Sequence, residues 1–248
     1  LKHNLIENIE MYGIDNDENL IKQAKSLLPS GTFRVMDIKS QDFIDLNETF
    51  DIVIAINSIH EVFSQFLLSG NSYEEAKSRT KLIYNKMASL LSNDGSILVH
   101  DGVEIDITEP NSFIKFEILS ENLRQLIGKF VDEYLPIKIK LQTFNDGTYS
   151  LESREFLRFL NTFRFIKGEA WDIERAQSYA YFTAEEFEDL FTTNGLICDC
   201  LSLSNNDYGL WDQCLRIIEP VIDFPKKTVL IIGTKTYLSP IKNPEEVL

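Results

Sequence analysis

Met11-Tyr-Gly-Ile-Asp-Asn-Asp17 ends a short apolar strand on acidic groups just before an amphipathic helix, and this junction sets the reading of the whole chain. In open α/β sheets ligands bind beyond the carboxyl ends of the strands, where an acid can hold the two hydroxyls of a nucleoside ribose. Asp15 is the candidate for that acid. The competing reading makes Asp15 and Asp17 ordinary helix-capping carboxylates, which satisfy open backbone N–H groups and oppose the helix dipole. The remainder of the chain favours a ligand, because it repeats strand, acid and helix in the order a nucleoside-binding sheet requires.

Working outward, Leu1 to Asn8 reads as the end of a helix feeding the strand Ile9 to Ile14. Glu18 to Leu28 follows as a helix with Leu20, Ile21, Ala24, Leu27 and Leu28 on one stripe, closed by Pro29, Ser30 and Gly31. Thr32 to Met36 is a short strand ending at Asp37, and Phe50-Asp-Ile-Val-Ile-Ala-Ile-Asn57 has the continuous apolar run of a strand buried on both faces. A long helix spans Tyr73 to Leu91, Asn93-Asp94-Gly95 forms a turn, and a strand from Ser96 to His100 ends at Asp101. From Thr108 to about Tyr179 the period changes to helical stretches rich in Phe and Leu, Phe113 to Tyr134 and Ser153 to Phe165. Alternation then resumes with Thr183 and Glu186 as a capping box, a helix over Ala184 to Thr193, and strands over Leu196 to Leu203 and Thr228 to Thr236. The expected division is therefore a core over residues 1–107, a helical insertion or lid over 108–180, the rest of the core over 181–238 and a tail over 239–248.

Composition narrows the function. A 248-residue chain with 44% hydrophobic residues can bury a full core, and a formal net charge of −15 argues against a nucleic-acid partner, whose affinity rests on Lys and Arg neutralising phosphates. A small molecule is the expected partner, with a homodimer as a further possibility. Cys198, Cys200 and Cys214 read as reduced thiols, and a Cys-x-Cys pair is no metal site by itself. No run of about 20 apolar residues is present to span a membrane, and the expected location is the cytoplasm.

Four strands end in polar groups, Asp15, Asp37, Asn57 and Asp101, all on the carboxyl edge of one sheet if the crossovers are right-handed. Asp15 could take a ribose diol, Asp37 the exocyclic amine of an adenine, and Asn16 or Ile38 could flank the base.

In Tyr12-Gly-Ile-Asp15, Val35-Met-Asp37-Ile, Phe50-Asp-Ile-Val-Ile-Ala-Ile-Asn57, Leu90-Leu-Ser-Asn-Asp-Gly95 and the helix between Thr183 and Gly195, the chain resembles the class I S-adenosylmethionine-dependent methyltransferases. The likeness covers Ile9 to Asp101 and Thr183 to Thr236. It implies a Rossmann-like α/β sheet, mostly parallel with the last strand antiparallel, and S-adenosyl-L-methionine as cofactor. By the same resemblance Asp15 would bind the ribose, Asp37 and Ile38 the adenine, and Asn57 would lie near the methionine portion. The family's first strand and glycine-rich loop have no counterpart in this sequence, and the expectation is that an upstream segment of a longer protein supplies them.

Ser58-Ile-His60-Glu61-Val62 follows the central strand directly, so His60 with Glu61 is the candidate catalytic pair. A near-neutral pKa suits His60 to accept a proton from a hydroxyl or amine, while the plainer reading makes it a helix-start residue. His100 and Asp101 could orient the methyl acceptor, and Trp171, Arg175 and Tyr179 could wall the pocket from the insertion, whereas Tyr181 reads as core. The leading function is methyl transfer to a small or medium-sized O- or N-acceptor. The alternatives are a catalytically inactive scaffold on the same fold and a dinucleotide-dependent oxidoreductase, the latter disfavoured by the late helix and the Ser-Ile-His-Glu stretch.

Overall fold

A computed structural model of the chain describes residues 9–104, 112–205, 207–220 and 222–236, so the expected helix before Asn8, the start of the insertion at Thr108 and the tail lie outside the described residues. The chain forms two compact units, Leu1–Glu48 and Thr49–Leu248.

In the first unit β1 (Tyr12–Asp15) pairs in parallel with β2 (Thr32–Val35), Tyr12 opposite Thr32 and Asp15 opposite Val35. The crossover helix α1 (Glu18–Leu27) starts where Asp17 accepts hydrogen bonds from the Asn19 and Leu20 N–H groups, so Asp17 and not Asp15 is the cap. Gly13 lets the Phe33 ring lie on the β1 backbone, since a Cβ there would stand 2.6 Å from that ring. A short helix α2 (Gln41–Ile44), capped by Ser40, buries Phe43.

The second unit carries a four-stranded sheet in the order β3 (Phe50–Ile56), β4 (Leu91–Gly102), β10 (Thr228–Lys235), β8 (Leu196–Ser204). β3 and β4 are parallel, and β10 runs antiparallel between β4 and β8, the placement expected of the last strand. Asp94 has φ 64 and Gly95 follows it, so the expected turn is absorbed as an irregularity inside β4, where the register against β3 shifts between Phe50 and Ile52. α3 (Ile59–Leu68), α4 (Tyr73–Ser89) and α9 (Ala184–Thr193) accompany this sheet, the last two opened by capping boxes, Ser72 with Glu75 and Thr183 with Glu186. Alternate residues of β4 and β10, including Ile97, Val99, Val229 and Ile231, are buried along with Tyr84, Phe187 and Phe191 from the helices. β3 departs from expectation. It stands at the end of the sheet with β4 as its hydrogen-bonded neighbour, and Ile52, Ile54 and Ile56 are 64, 62 and 55% exposed, so one of its faces is uncovered.

The insertion is not purely helical. It holds a second sheet in the order β6 (Gln142–Thr143), β7 (Tyr149–Glu152), β5 (Phe113–Ile118), β9 (Leu215–Glu219), antiparallel throughout. Phe113 to Ile118 alternates outward and inward with Ile114, Phe116 and Ile118 buried, a period of two that the run of Phe and Leu beyond it conceals. β9 arrives from the segment between β8 and β10 together with α10 (Tyr208–Cys214), so the chain returns to the insertion after the core has resumed. Around this sheet lie α5 (Glu121–Arg124), α6 (Ile127–Glu133), α7 (Ser153–Thr162) and α8 (Trp171–Glu174), whose inward side chains make an aromatic core with Phe116, Phe130, Phe156 and Phe159 fully buried. No helix among the described residues is long and apolar enough to cross a membrane.

Candidate active site

The register of β3 on β4 builds the site. Ile56 lies opposite His100, and the Asn57 N–H donates to the His100 carbonyl at 2.8 Å, so the two strands end together. Asn57 turns the chain out of the sheet in the left-handed region, φ 49, a conformation in which Asn is several-fold enriched. The side chain of Ser58 does not cap α3. Asp101 does so from the neighbouring strand: its Oδ2 accepts the Ile59 and His60 N–H groups at 2.9 and 3.1 Å, and its Oδ1 accepts the Gly102 N–H at 2.8 Å and meets His60 Nδ1 at 2.5 Å. At 1% exposure this carboxylate is a buried charge made tolerable by four donors, one of them an imidazole.

His60 is 2% exposed and tied down on every side. With Nδ1 committed to Asp101, its Nε2 lies 3.3 Å from Gln177 Oε1, and its ring stacks against Tyr179 at a centroid separation of 4.5 Å. The Ser64 hydroxyl donates to the His60 carbonyl at 2.6 Å and accepts the Ser178 N–H at 2.7 Å, which stitches the segment returning from the insertion to α3. Gly102 makes this crossing possible, because a Cβ there would fall 1.7 Å from the Tyr179 carbonyl oxygen. Burial by itself would lower the His60 pKa, but the charge and hydrogen bond of Asp101, with help from Glu61 and Gln177, outweigh it and raise the pKa above the ordinary imidazole value. Burial, and then the bond to Glu174, push the Tyr179 phenol far up, so it stays a neutral donor.

A cavity of about 510 Å³ opens over this pair. Asn57, His60, Glu61 and His100 line it from the sheet side, and Asn161, Arg164, Phe165, Ile173, Glu174, Gln177 and Tyr179 from the insertion. Of the residues singled out in the sequence, His60, Glu61, Asn57, His100 and Tyr179 line this cavity. Asp101 needs correction: it does not face an acceptor but holds His60 and the α3 N-terminus from below. Trp171 is buried at 3%, donates its indole N–H to Glu133 at 2.6 Å and belongs to the insertion core, and Arg175 pairs with Asp172 at 3.3 Å, so neither lines the cavity. Tyr181 is core, fully buried. Asn161, Arg164, Gln177 and Lys227 were missed, and no local pattern marks them; the register of distant elements brings them together.

The remaining candidates lie in the first unit. Asp15 Oδ1 accepts the Asp17 N–H at 2.8 Å, and its Oδ2 has no protein partner among the described residues, a state that fits a diol. Asp37 is more engaged, since Lys39 donates its N–H to Oδ1 at 2.8 Å and pairs with Oδ2 at 3.4 Å. Asn16 is exposed and Ile38 half-buried. Within this unit Asp15 ends β1 and Asp37 follows β2, the two strands pairing in parallel.

Compared with known families, residues 1–143 match the methyltransferase domain. The chain belongs to that family. No curated protein matches the methyltransferase domain chain at a significant level. Among solved structures it is similar to a SAM-dependent methyltransferase from Methanosarcina mazei, at 13% identity over 91% of this chain and 81% of that one, TM-score 0.42. It is also similar to an S-adenosylmethionine-dependent methyltransferase from Clostridium acetobutylicum, at 8% identity over 92% and 76% of the two chains, TM-score 0.41. A third similar structure is the magnesium protoporphyrin IX methyltransferase of Synechocystis with bound SAH, at 12% identity over 92% and 65%, TM-score 0.40.

Proposed function

We propose that this methyltransferase domain transfers a methyl group from S-adenosylmethionine to an oxygen or nitrogen of a small or medium-sized acceptor, with His60 as general base. The observation that carries the reading is the buried Asp101–His60 pair behind the cavity wall, with Nδ1 held by Asp101 so that Nε2, 3.3 Å from Gln177 Oε1, is the ring atom an acceptor would exchange for that contact. The cofactor, when bound, supplies an electrophilic methyl on a sulfonium. Asp15, through its open oxygen, would hold the ribose diol, and Asp37 and Ile38 of the same unit are the residues assigned to the adenine.

The protein's own residues do the rest. Asp101 fixes the imidazole tautomer and stabilises the imidazolium once Nε2 has taken the acceptor proton, while Gln177, whose amide can present either its oxygen or its NH2, follows both protonation states. Tyr179 lies against the imidazole ring and closes one side of it from water. Displacement at a sulfonium needs little covalent help, so positioning and proton removal are what the protein adds.

His60→Gln keeps a polar side chain on α3 and removes the base. Turnover should fall about 100-fold or more, with S-adenosylmethionine affinity by calorimetry nearly unchanged. Turnover equal to the wild type would return His60 to a structural role.

A further inference from the structure

Asn161 is 5% exposed, lines the cavity, and its Nδ2 has no hydrogen-bond partner among the described residues. A buried donor left unmade is costly, so an amide NH2 kept in that state at a cavity wall points to an acceptor that comes with a ligand. Three residues on, one turn along the same face, Arg164 also lines the cavity, as does Lys227 from the approach to β10. Arg164 bonds both oxygens of Asp207 at 3.0 Å through Nη1 alone, and Lys227 pairs with Oδ2 of the same carboxylate. Two cations sharing one carboxylate leave a positive charge in excess beside Asn161.

The other acids on the cavity act on the candidate base and its ring partner: Glu174 accepts the Tyr179 hydroxyl, and the charge of Glu61 acts on His60. The polar lining is therefore divided between an acidic group with the candidate base and a donor-rich group formed by Asn161, Arg164 and Lys227. Phe165, Ile173 and the ring of Tyr179 add apolar wall suited to a planar body.

We propose that the acceptor is a hydroxylated carboxylate, whose anionic end is read by Asn161, Arg164 and Lys227 while its hydroxyl is presented to His60. This rests on the methyl-transfer reading of the cavity and names the substrate class for it. Arg164 and Lys227 supply charge, and Asn161 supplies a directional bond to a carbonyl oxygen whether or not that oxygen is charged.

Calorimetric titration with 4-hydroxybenzoate and its neutral counterpart 4-hydroxybenzamide separates these roles without turnover. The wild type should bind the acid about tenfold more tightly than the amide. Asn161→Leu should weaken both probes by about tenfold with a melting temperature equal to or above the wild type, because it removes an unpaired buried donor and not a structural bond. Arg164→Gln and Lys227→Gln should weaken the acid alone and collapse the preference. Equal affinity of the wild type for the two probes, no binding of the acid, or an Asn161→Leu protein that binds both as before would overturn the assignment. A chain that shows the expected binding pattern yet transfers no methyl group to any acceptor would leave this subsite standing and remove the proposed reaction.

Discussion

In the insertion Phe116, Phe130, Phe156 and Phe159 are wholly buried around a small antiparallel sheet, whereas on β3 of the larger sheet Ile52, Ile54 and Ile56 each stand more than half exposed. The larger sheet is thus the less enclosed at its edge, and the insertion has a sealed aromatic core. A flap that opens and shuts would have few buried apolar contacts. This insertion has many, so it is a packed body in itself, and the residues it lends to the cavity stand on elements anchored in its own core. Asn161 and Gln177 then owe their positions to packing that lies outside the cavity.

The largest effect that could break this contrast is at Phe159. Phe159→Ala should cost about 3–5 kcal/mol of stability in denaturant unfolding, the range for emptying an aromatic core site, and a loss below about 1 kcal/mol would mean that the insertion core is loose. Next comes Asp101→Asn, which keeps the shape of the buried pair and removes its charge. It should cost about 1–3 kcal/mol and shift the pH dependence in two ways. Because His60 has its pKa raised in the folded state, its contribution to stability is complete below the ordinary imidazole pKa and is lost as pH rises through the higher folded value. With His60 as the proposed base, the rate needs the neutral ring and should rise over that same window in the wild type. In Asp101→Asn both the stability loss and the rising limb of kcat/KM should move to lower pH; an unmoved limb would show that another group titrates. The smallest effect belongs to β3, where Ile54→Thr should change the stability of the isolated chain by no more than about 0.5 kcal/mol. A larger loss would mean that the face is covered in solution.

Much of the scaffold could be read from residue patterns with a short reach. The Thr183–Glu186 capping box rests on such a pattern, and the antiparallel β10 followed from the resemblance, whereas the α1 stripe is buried at Ile21 with Leu20 and Leu27 exposed. The exposed face of β3 could not be read, because a run of Ile, Val and Ala has the same sequence whether one face or both are covered. β5 was hidden because its six alternating residues lead into a longer Phe- and Leu-rich stretch, and β9 because a strand supplied from beyond β8 leaves no local trace. At the site, His60 and Asp101 were each legible as strand-end groups, but their union across 41 residues depends on the β3–β4 register. Trp171 shows the opposite limit: an aromatic next to a charged turn reads equally as pocket wall or core until its indole partner, Glu133, is known.

Asp101 also sets the order in which this site could decay. The same carboxylate that holds the His60 ring caps the N-terminus of α3 and its own Gly102 N–H, so losing the base leaves three of its four bonds to be kept, whereas losing the acid unties the helix and the ring together. Selection for folding alone would then preserve the acid after selection for turnover has lapsed. In copies of this gene drifting away from catalysis, the aspartate should outlast the histidine, and a chain that keeps Asp101 but not His60 would be the signature of an enzyme that has retired with its fold intact.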